Sequence, residues 1–361
     1  MNYKSFIRKA TLAGICSASV LVYAGNKDRV GESGASELKI NPWAGSSGVA
    51  GANTANVTGV EAMNLNISGL AFINSTEIAF VNKNWLSGSG INVSTLGFGQ
   101  RMNETSVLGI GITAMSFGQI EVTTVNQPEG GQLGTFQPTF LNISLSYAKE
   151  FSNSIYGGLT VRAISEQIAN AGAQGMALDA GIRYVTGPAD RIKFGISLRN
   201  VGPKMSFKGD GFSERIIFNE IEYTLEQRAQ GFELPALLNI GASYDFHLGF
   251  SSDSAAKPMP LHILTVSGNF QSNSFGKDIM TAGVEYGYKN VLRLRLGYAY
   301  EQGQSLGSQT NDLTNAYTGP AAGASVNLPL GEAGRFLGVD YAYRPTIRFG
   351  GTHSMGIRIN L

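Results

Sequence analysis

Residues of the types that carry most enzyme chemistry are few in this sequence, and they lie far apart. The three histidines, His247, His262 and His353, fall in three different predicted strands and lack the spacing of metal ligands. The glycine-rich run over residues 45–51 is not followed by the Lys-Ser or Lys-Thr pair that a phosphate-binding loop requires. We therefore predict a protein that is not an enzyme, with no catalytic, cofactor-binding or metal site.

A second group of residues could act through charge. Glu285, Arg293, Arg295 and Asp340 alternate with apolar residues in three predicted strands, so they share the polar face of a sheet. One interpretation is that opposite charges pair across neighbouring strands. The other is that they line a path for a charged substrate. We favour the pairing and predict a charge network in the lumen of a closed sheet.

The third candidate is a recognition surface. Residues 203–235 have the length of a long loop, yet they are rich in large apolar side chains, and exposed apolar patches usually bind something. These side chains belong to Phe207, Phe212, Ile216, Ile217, Phe218 and Tyr223. Two interpretations remain open from the sequence: the loop binds a partner protein, or it folds over the mouth of the barrel.

The amino-acid composition limits the class of fold that could position these residues. Charged residues make up 15% of the chain, below the ~25% that is usual in soluble domains. Glycine accounts for 47 of the 361 residues. Low charge with abundant glycine and aromatic residues favours a membrane β-barrel, and a secreted β-sandwich is the alternative. The net charge of +1 gives no field that would attract a nucleic acid, so no nucleic-acid partner is predicted.

The N-terminus has the features of an export signal. A basic segment precedes an apolar stretch that is too short for a membrane helix, and Ala24 provides a small residue for cleavage. We predict a signal peptide over residues 1–24. Residues 25–42 are polar and irregular, whereas residues 43–74 are rich in small residues that can pack closely in a confined space. Residues 25–74 are therefore predicted to form an N-terminal arm and a plug.

From residue 75 to the end of the chain, apolar residues recur at every second position. The segments are about ten residues long, as tilted membrane strands require. Fourteen such segments can be counted, the third over residues 106–125 and the last ending at Leu361. The predicted fold is all-β: a transmembrane antiparallel β-barrel of about 14 strands over residues 75–361, with the N-terminal plug.

The plug and the barrel resemble a known family. Asn66-Ile67-Ser68-Gly69-Leu70-Ala71 stands where FadL-type outer-membrane barrels carry an Asn-Pro-Ala-Gly-Leu type motif, with Ile67-Ser68 in place of Pro-Ala. Asn66, Gly69 and Leu70 are the matching plug positions. The closer resemblance is to the PorV/PorQ branch of that superfamily, found in Bacteroidota. It is carried by Asn41-Pro42-Trp43-Ala44-Gly45-Ser46-Ser47-Gly48, by Ala177-Leu178-Asp179-Ala180-Gly181-Ile182, and by residues 117–124, 141–149 and 193–203.

This resemblance implies a non-enzymatic barrel in the cell outer membrane, surrounded by its lipid. It implies action in or beside the type IX secretion system, through contacts with translocon components or with the C-terminal signal domains of cargo proteins. That is the function we predict from the sequence. The alternative is a FadL-like channel for small hydrophobic molecules, in which the plug is a movable hatch.

Overall fold

The structure is a computed structural model that describes residues 25–131, 133–250, 260–301, 313–331, 335–346 and 349–361. The predicted signal peptide, residues 1–24, lies outside the described residues. Most of the regular structure is β-strand. The strands are β1 (Thr76–Trp85), β2 (Ile91–Arg101), β3 (Ser106–Ser116), β4 (Ile120–Glu121), β5 (Thr135–Phe136), β6 (Thr139–Ser152), β7 (Ile155–Ile168), β8 (Ala171–Thr186), β9 (Ile192–Val201), β10 (Phe207–Lys208), β11 (Ser213–Phe218), β12 (Ile221–Glu226), β13 (Leu237–Phe250), β14 (Pro260–Asn273), β15 (Ile279–Tyr288), β16 (Leu292–Glu301), β17 (Gly319–Pro329), β18 (Phe336–Arg344) and β19 (Thr352–Asn360).

The long strands close into a barrel. β1–β3, β6–β9 and β13–β19 pair with their neighbours in antiparallel register, and β1 pairs with β19, so this sheet of fourteen strands has no free edge. The closing pair runs from Glu77 opposite Asn360 to Asn84 opposite His353. The two-residue strand β10 adds to β8 as a further member of the sheet. The predicted closed antiparallel barrel of about 14 strands is confirmed.

The two ends of the barrel differ in their connections. One end has mostly short turns and the C-terminal Leu361, and is called the short-turn end. The long-loop end includes residues 117–138 and 202–236. The prediction of the third strand over 106–125 is wrong beyond residue 116, because its neighbours end there and offer no further partners. β4 pairs instead with β5 in a small separate hairpin.

The segment over residues 203–235 is more ordered than the predicted loop. It contains a second hairpin, β11–β12, whose strands pair from Ser213 opposite Glu226 to Phe218 opposite Ile221. Asn219 and Glu220 form its two-residue turn, with φ of 52° and 63°. Positive φ at both central residues is the backbone of the tight turn that matches the twist of paired strands.

The wall of the barrel reverses the pattern of a soluble protein. Leu145, Leu159 and Leu296 face outward and are 58%, 62% and 67% exposed, whereas inward residues such as Ser144 and Arg295 are buried. Apolar side chains outside and polar side chains inside are the arrangement of a wall between lipid and a polar lumen. The alternative of a sandwich fails because the outward Leu and Ile residues are not hidden between two sheets. Among the described residues, no helix is long and apolar enough to cross a bilayer.

Aromatic residues mark both ends of the outer surface. Near the short-turn end, His262 Nδ1 lies 2.7 Å from the hydroxyl of Tyr286. Near the long-loop end, His353 Nδ1 lies 2.8 Å from the hydroxyl of Tyr341. Bands of aromatic residues at the two lipid–water boundaries are typical of membrane barrels. These two histidines are therefore partners of tyrosines in the outer bands.

The N-terminal residues run from the long-loop end of the barrel into its lumen. Residues 25–42 are called the arm and residues 43–74 the lumen segment. They contain the only α-helix among the described residues, α1 (Ala44–Gly48), and short 3-10 helices. The 3-10 helices of the described chain are Lys27–Arg29, Ser36–Lys39, Val60–Asn64, Ile67–Phe72, Pro188–Asp190 and Asp210–Phe212. The chain passes from the long-loop end, where Asn26 N bonds to Asn273 O, to the short-turn end, where β1 begins.

Inward-facing glycines make room for the lumen segment. A Cβ added at Gly109 on β3 would lie 2.9 Å from Leu70 Cδ2, and one at Gly283 on β15 would lie 2.9 Å from Val49 Cβ. Both distances are shorter than two carbon atoms tolerate. Because β3 and β15 are seven strands apart in the barrel of fourteen, the lumen segment extends from wall to wall.

The depth dependence of a charge tests the membrane-spanning wall. Leu145→Arg places a cation at the middle of β6, whereas Phe151→Arg places it near the end of the same strand, at a side chain that is 66% exposed. We expect the first to lower the free energy of unfolding in lipid vesicles by about 2–4 kcal/mol and the second by about 0–1 kcal/mol. Denaturant titration measures both. Equal effects would show that the middle of β6 does not face hydrocarbon.

Candidate functional site

Basic side chains of the wall bind backbone carbonyl groups of the arm and of the lumen segment. Arg101 on β2 donates to Ile73 O and to Ala71 O, each at 2.6 Å. Lys83 on β1 donates to Asn41 O at 2.5 Å. Contacts of the same kind join Arg162 to Met63 O at 3.4 Å, Arg183 to Val57 O, and Arg199 to Leu38 O at 3.3 Å. A segment with little regular structure leaves many carbonyls without internal partners, and these donors satisfy them.

Acidic side chains bind its N–H groups. Glu77 on β1 accepts a hydrogen bond from Val60 N at 3.0 Å. Glu61, within the lumen segment, accepts one from Ser46 N in the first turn of α1, where helix N–H groups have no internal acceptor. Burial raises the pKa of Glu61. The lumen segment is therefore held by donors and acceptors of both signs.

Asn66, predicted from the plug motif, links the lumen segment to the wall. Its side chain is fully buried. Nδ2 donates to Thr54 O at 2.9 Å and to Ile182 O of β8 at 3.2 Å. Oδ1 accepts from Ser68 Oγ at 2.7 Å. One amide thus ties two turns of the segment to each other and to a strand.

The other two motif positions serve packing. Leu70 is fully buried in an apolar cluster that includes Trp43, Val60 and Met63. A side chain at Gly69 would clash with Val57 O, so only glycine allows this approach of the two turns. The structure places Asn66, Gly69 and Leu70 in or beside one 3-10 helix, although Asn66 alone bonds to the wall through its side chain.

The predicted lumen charges lie on neighbouring strands at one side of the barrel. Glu285 and Arg295 are directly opposite each other on β15 and β16 and form an ion pair of 2.5 Å. Arg293 is also within electrostatic reach of Glu285. Asp340 lies 3.7 Å from Arg358 on β19, a partner that the sequence did not single out. Opposite charges here pair with each other across strands.

Further buried ion pairs lie elsewhere in the wall. Arg162 on β7 and Asp179 on β8 are 2.8 Å apart, with side chains that are each 4% exposed. Lys193 on β9 pairs with Asp245 on β13. Inward charged positions on successive strands are the sequence signal for such pairs, but the strand register decides which residues meet.

A cavity of about 760 Å³ lies at the long-loop end of the lumen. Its floor is formed by Ala50, Gly51 and Leu65 of the lumen segment, and the arm forms one side. The aromatic and large apolar residues that face it from the wall and loops are Trp85, Met115, Phe117, Phe140, Ile168, Phe207, Phe275, Ile279 and Tyr317. The volume falls within the range of about 300–1,000 Å³ that small-molecule sites occupy.

Three basic groups at this cavity are engaged with the backbone. Lys83 and Arg199 bind carbonyls of the arm, as described above. Arg344 Nη2 donates to Tyr317 O at 2.6 Å, and its guanidinium lies 4.8 Å from the centre of the Tyr317 ring. Aromatic surface and already bonded cations therefore make up much of the lining.

The predicted recognition residues divide into two groups. Ile216, Ile217, Phe218 and Tyr223 lie on the β11–β12 hairpin, which Phe212 immediately precedes. Ile217 is 78% and Phe218 62% exposed. Phe207 lies apart, against Phe232 at a ring distance of 5.7 Å, and faces the cavity. The sequence did not reveal this division, because it depends on where the hairpin begins.

Comparison with solved structures shows FadL-like barrels of the same fold. The toluene transporter TodX of Pseudomonas putida superposes with a TM-score of 0.52 at 12% identity, over 89% of this chain and 97% of that chain. The deltaS2 mutant of TodX, described as a monoaromatic hydrocarbon channel, gives 0.50 at 12% identity, over 88% and 97%. A FadL homologue from Pseudomonas aeruginosa gives 0.46 at 12% identity, over 88% and 96%. Comparison with protein-family models and with curated proteins gives no match.

Proposed function

We propose that this protein is an outer-membrane channel for small hydrophobic molecules. In this proposal the cavity at the long-loop end receives the ligand, and the lumen segment is a hatch beneath it. The observation that carries the proposal is the cavity itself, which combines aromatic walls with a floor made by the lumen segment. The shared fold with TodX, described as a toluene transporter, supports this function better than it supports a role in secretion.

The chemistry of the lining favours a neutral ligand with an aromatic or apolar surface. Phe117 and Phe140 meet edge to face with ring centres 4.8 Å apart, and both rings line the cavity. A further aromatic ring gains energy from such edge and face contacts as well as from apolar burial. Lys83, Arg199 and Arg344 at the cavity already bind carbonyls, so an anionic ligand would have to displace those bonds to pair with them.

A hatch explains how the lumen segment is attached. Many of its links to the wall are hydrogen bonds to charged Arg and Glu side chains, each worth about 1.5–3 kcal/mol, and water can replace them one at a time. Its apolar cluster with Leu70 lies against β2 and β3. α1 and the residues after it lie against β15–β18. We propose that α1 and the residues after it move away from the wall, while the apolar cluster with Leu70 stays attached to β2 and β3.

A substitution in the cavity tests the ligand site. Phe140→Ala should raise the half-saturating concentration for toluene uptake by about tenfold, since the lost aromatic contact is worth roughly 1–2 kcal/mol. The measurement is uptake of labelled toluene by a Gram-negative host that lacks its own hydrophobic channels. Phe218→Ala, on the exposed hairpin, is the matched control and should leave uptake unchanged. Uptake that does not depend on the protein at all would remove the proposal.

A cross-link tests the movement of the hatch. The Cβ of Ala52 lies 3.1 Å from a Cβ built at Gly283 on β15, close to the ~3.5–4.5 Å between the Cβ atoms of a disulfide. The one cysteine of the chain, Cys16, lies in the predicted signal peptide. Oxidised Ala52→Cys/Gly283→Cys should lose most of its uptake and regain it on reduction.

The control for this cross-link joins two strands of the wall. Ala148 Cβ lies 3.2 Å from a Cβ built at Gly158, so Ala148→Cys/Gly158→Cys offers a similar distance without contact to the moving side. Its uptake should be the same in both redox states. Full uptake by the oxidised Ala52–Gly283 pair, with the bond verified by mass spectrometry, would show that this side of the lumen segment does not open.

The β11–β12 hairpin favours a second candidate function, the PorV/PorQ-type role beside type IX secretion. Its Ile217, Phe218 and Ile221 side chains are all more than half exposed, and the hairpin projects from the long-loop end as a sheet separate from the barrel. An apolar hairpin of this kind can bind a translocon component or the C-terminal signal domain of a cargo protein. The comparisons give this function no direct support.

Affinity purification tests the second function. If it holds, the protein purified from native outer membranes recovers type IX components or cargo, and Phe218→Ala reduces that recovery by about tenfold, as loss of an interface anchor does. Phe140→Ala, which changes only the cavity, should leave the recovery unchanged. Recovery of no secretion component by the unaltered protein would rule out this function while leaving the channel proposal untouched.

A further inference from the structure

A short part of the lumen segment, residues 44–53, is fixed at both of its ends and is called the flap. Immediately before it, Trp43 is buried in the apolar cluster described above, and its indole N–H donates to Asn64 Oδ1 at 2.9 Å. Immediately after it, Thr54 O accepts the hydrogen bond from Asn66 Nδ2. The residues between these two anchors can therefore leave the wall while the apolar cluster stays in place.

The flap forms part of the floor of the cavity. Its tip is the turn at Ala50 and Gly51, which have φ of 56° and 78° and line the cavity. Beside the tip, a Cβ added at Gly297 on β16 would overlap the backbone of Val49, so the glycine allows the flap to lie directly against the strand. Movement of the flap away from β15–β17 would therefore open the floor of the cavity on this side.

Glu61 connects the flap to the part of the lumen segment that stays attached. It lies in the 3-10 helix Val60–Asn64, which contributes two residues to the apolar cluster. Its Oε1 accepts a hydrogen bond from Ser46 N in the flap. Its Oε2 lies against Gly45, where an added Cβ would be 2.6 Å away. Both oxygens of one carboxylate therefore face the first turn of α1.

The space around the Glu61 carboxylate is too small for a ligand. Glu61 shares a second, much smaller cavity with Glu77 on β1, Asp340 on β18 and Arg358 on β19. The volume of this cavity is about 10 Å³, which is room for about one water molecule. Charges of both signs surround the carboxylate, and its direct contact is with the flap. The arrangement therefore points to a role within the chain.

A second polar contact reaches the flap from the wall. Lys83 Nζ on β1 donates to Ser47 Oγ at 2.9 Å, and the same ammonium group donates to Asn41 O in the arm. Lys83 can keep its bond to Asn41 when the flap leaves, and the acceptor it would lose is a neutral hydroxyl. The bond from Ser46 N to the Glu61 carboxylate is charge-assisted, and such bonds are the stronger ones.

We propose that Glu61 is the latch of the hatch: its hydrogen bond to Ser46 N holds the flap closed, and the flap opens when this bond breaks. The inference rests on the proposed hatch and names the contact that controls it. Loss of a hydrogen bond to a charged group shifts an equilibrium by about tenfold or more. Glu61 does not line the large cavity, so it is a positioning residue that acts through the flap.

Thiol labelling of a buried flap residue tests the latch. Val49 is 3% exposed, and the one cysteine of the chain, Cys16, lies in the predicted signal peptide. Val49→Cys therefore gives a single thiol that a small methanethiosulfonate reagent reaches when the flap opens. If the flap recloses faster than the reagent reacts, the labelling rate follows the open population. In the full chain in detergent, we expect about tenfold faster labelling with Glu61→Ala. Glu61→Gln should change the rate by no more than about twofold, because its amide oxygen can still accept from Ser46 N.

Two controls separate opening of the flap from general loosening. Ala71→Cys places the thiol in the apolar cluster, at a residue that is also 3% exposed, and its labelling rate should be the same with and without Glu61→Ala. Glu32→Ala removes a carboxylate of the arm that pairs with Arg29, and it should not change the labelling of Val49→Cys. Heat-modifiable migration in gels verifies that each variant has folded as a barrel.

The latch is overturned if Glu61→Ala leaves the labelling of Val49→Cys unchanged or speeds the labelling of Ala71→Cys equally. It is also overturned if Ser47→Ala or Glu61→Gln speeds labelling as much as Glu61→Ala does, because the acceptor at Glu61 would then not be what holds the flap. Toluene uptake distinguishes this result from failure of the proposed function. If Glu61→Ala speeds labelling but uptake does not depend on the protein, the channel proposal fails and the latch stands.

Discussion

The structure depends on how the backbone N–H and C=O groups of an irregular segment find hydrogen-bond partners inside a membrane-spanning barrel. The lumen segment has one short helix and several 3-10 turns, so many of its backbone groups have no internal partners. In a water-poor lumen each unpaired group would be costly. The wall supplies the partners: Arg101, Arg162 and Arg183 bind carbonyls, and Glu77 binds an N–H. The side chains of the barrel wall therefore also determine where the lumen segment lies.

This arrangement gives the charged residues of the wall two roles. On β15, β16, β18 and β19 opposite charges such as Glu285 and Arg295 neutralise each other. On β1, β2 and β7–β9 many basic side chains reach the backbone of the interior. The cavity at the long-loop end has apolar and aromatic surface, and Lys83, Arg199 and Arg344 beside it are already bonded to the backbone. A site for a neutral molecule can thus exist within a lumen that is rich in charge.

The outer and inner surfaces of the barrel each impose a separate pattern of residue types on the sequence. Outward positions contact hydrocarbon and are often Leu, Ile or Tyr, whereas the inward positions between them are small or polar. This period of two identified the strands. The prediction failed where the period continued without a partner, as in residues 117–125 beyond Ser116. It also treated residues 203–235 as one loop, because a hairpin outside the membrane has no lipid-facing pattern to reveal it.

The sequence by itself determined the class of fold, since a strand that contacts lipid on one side and a polar interior on the other must alternate wherever it lies in the barrel. It also indicated that Asn66, Gly69 and Leu70 belong to a segment that packs closely. Only the tertiary structure decided the partners of that segment. That Arg162 meets both Asp179 and Met63 O depends on strand register and on the path of the lumen segment. Such contacts join residues that are far apart in the chain, so the local sequence pattern does not predict them.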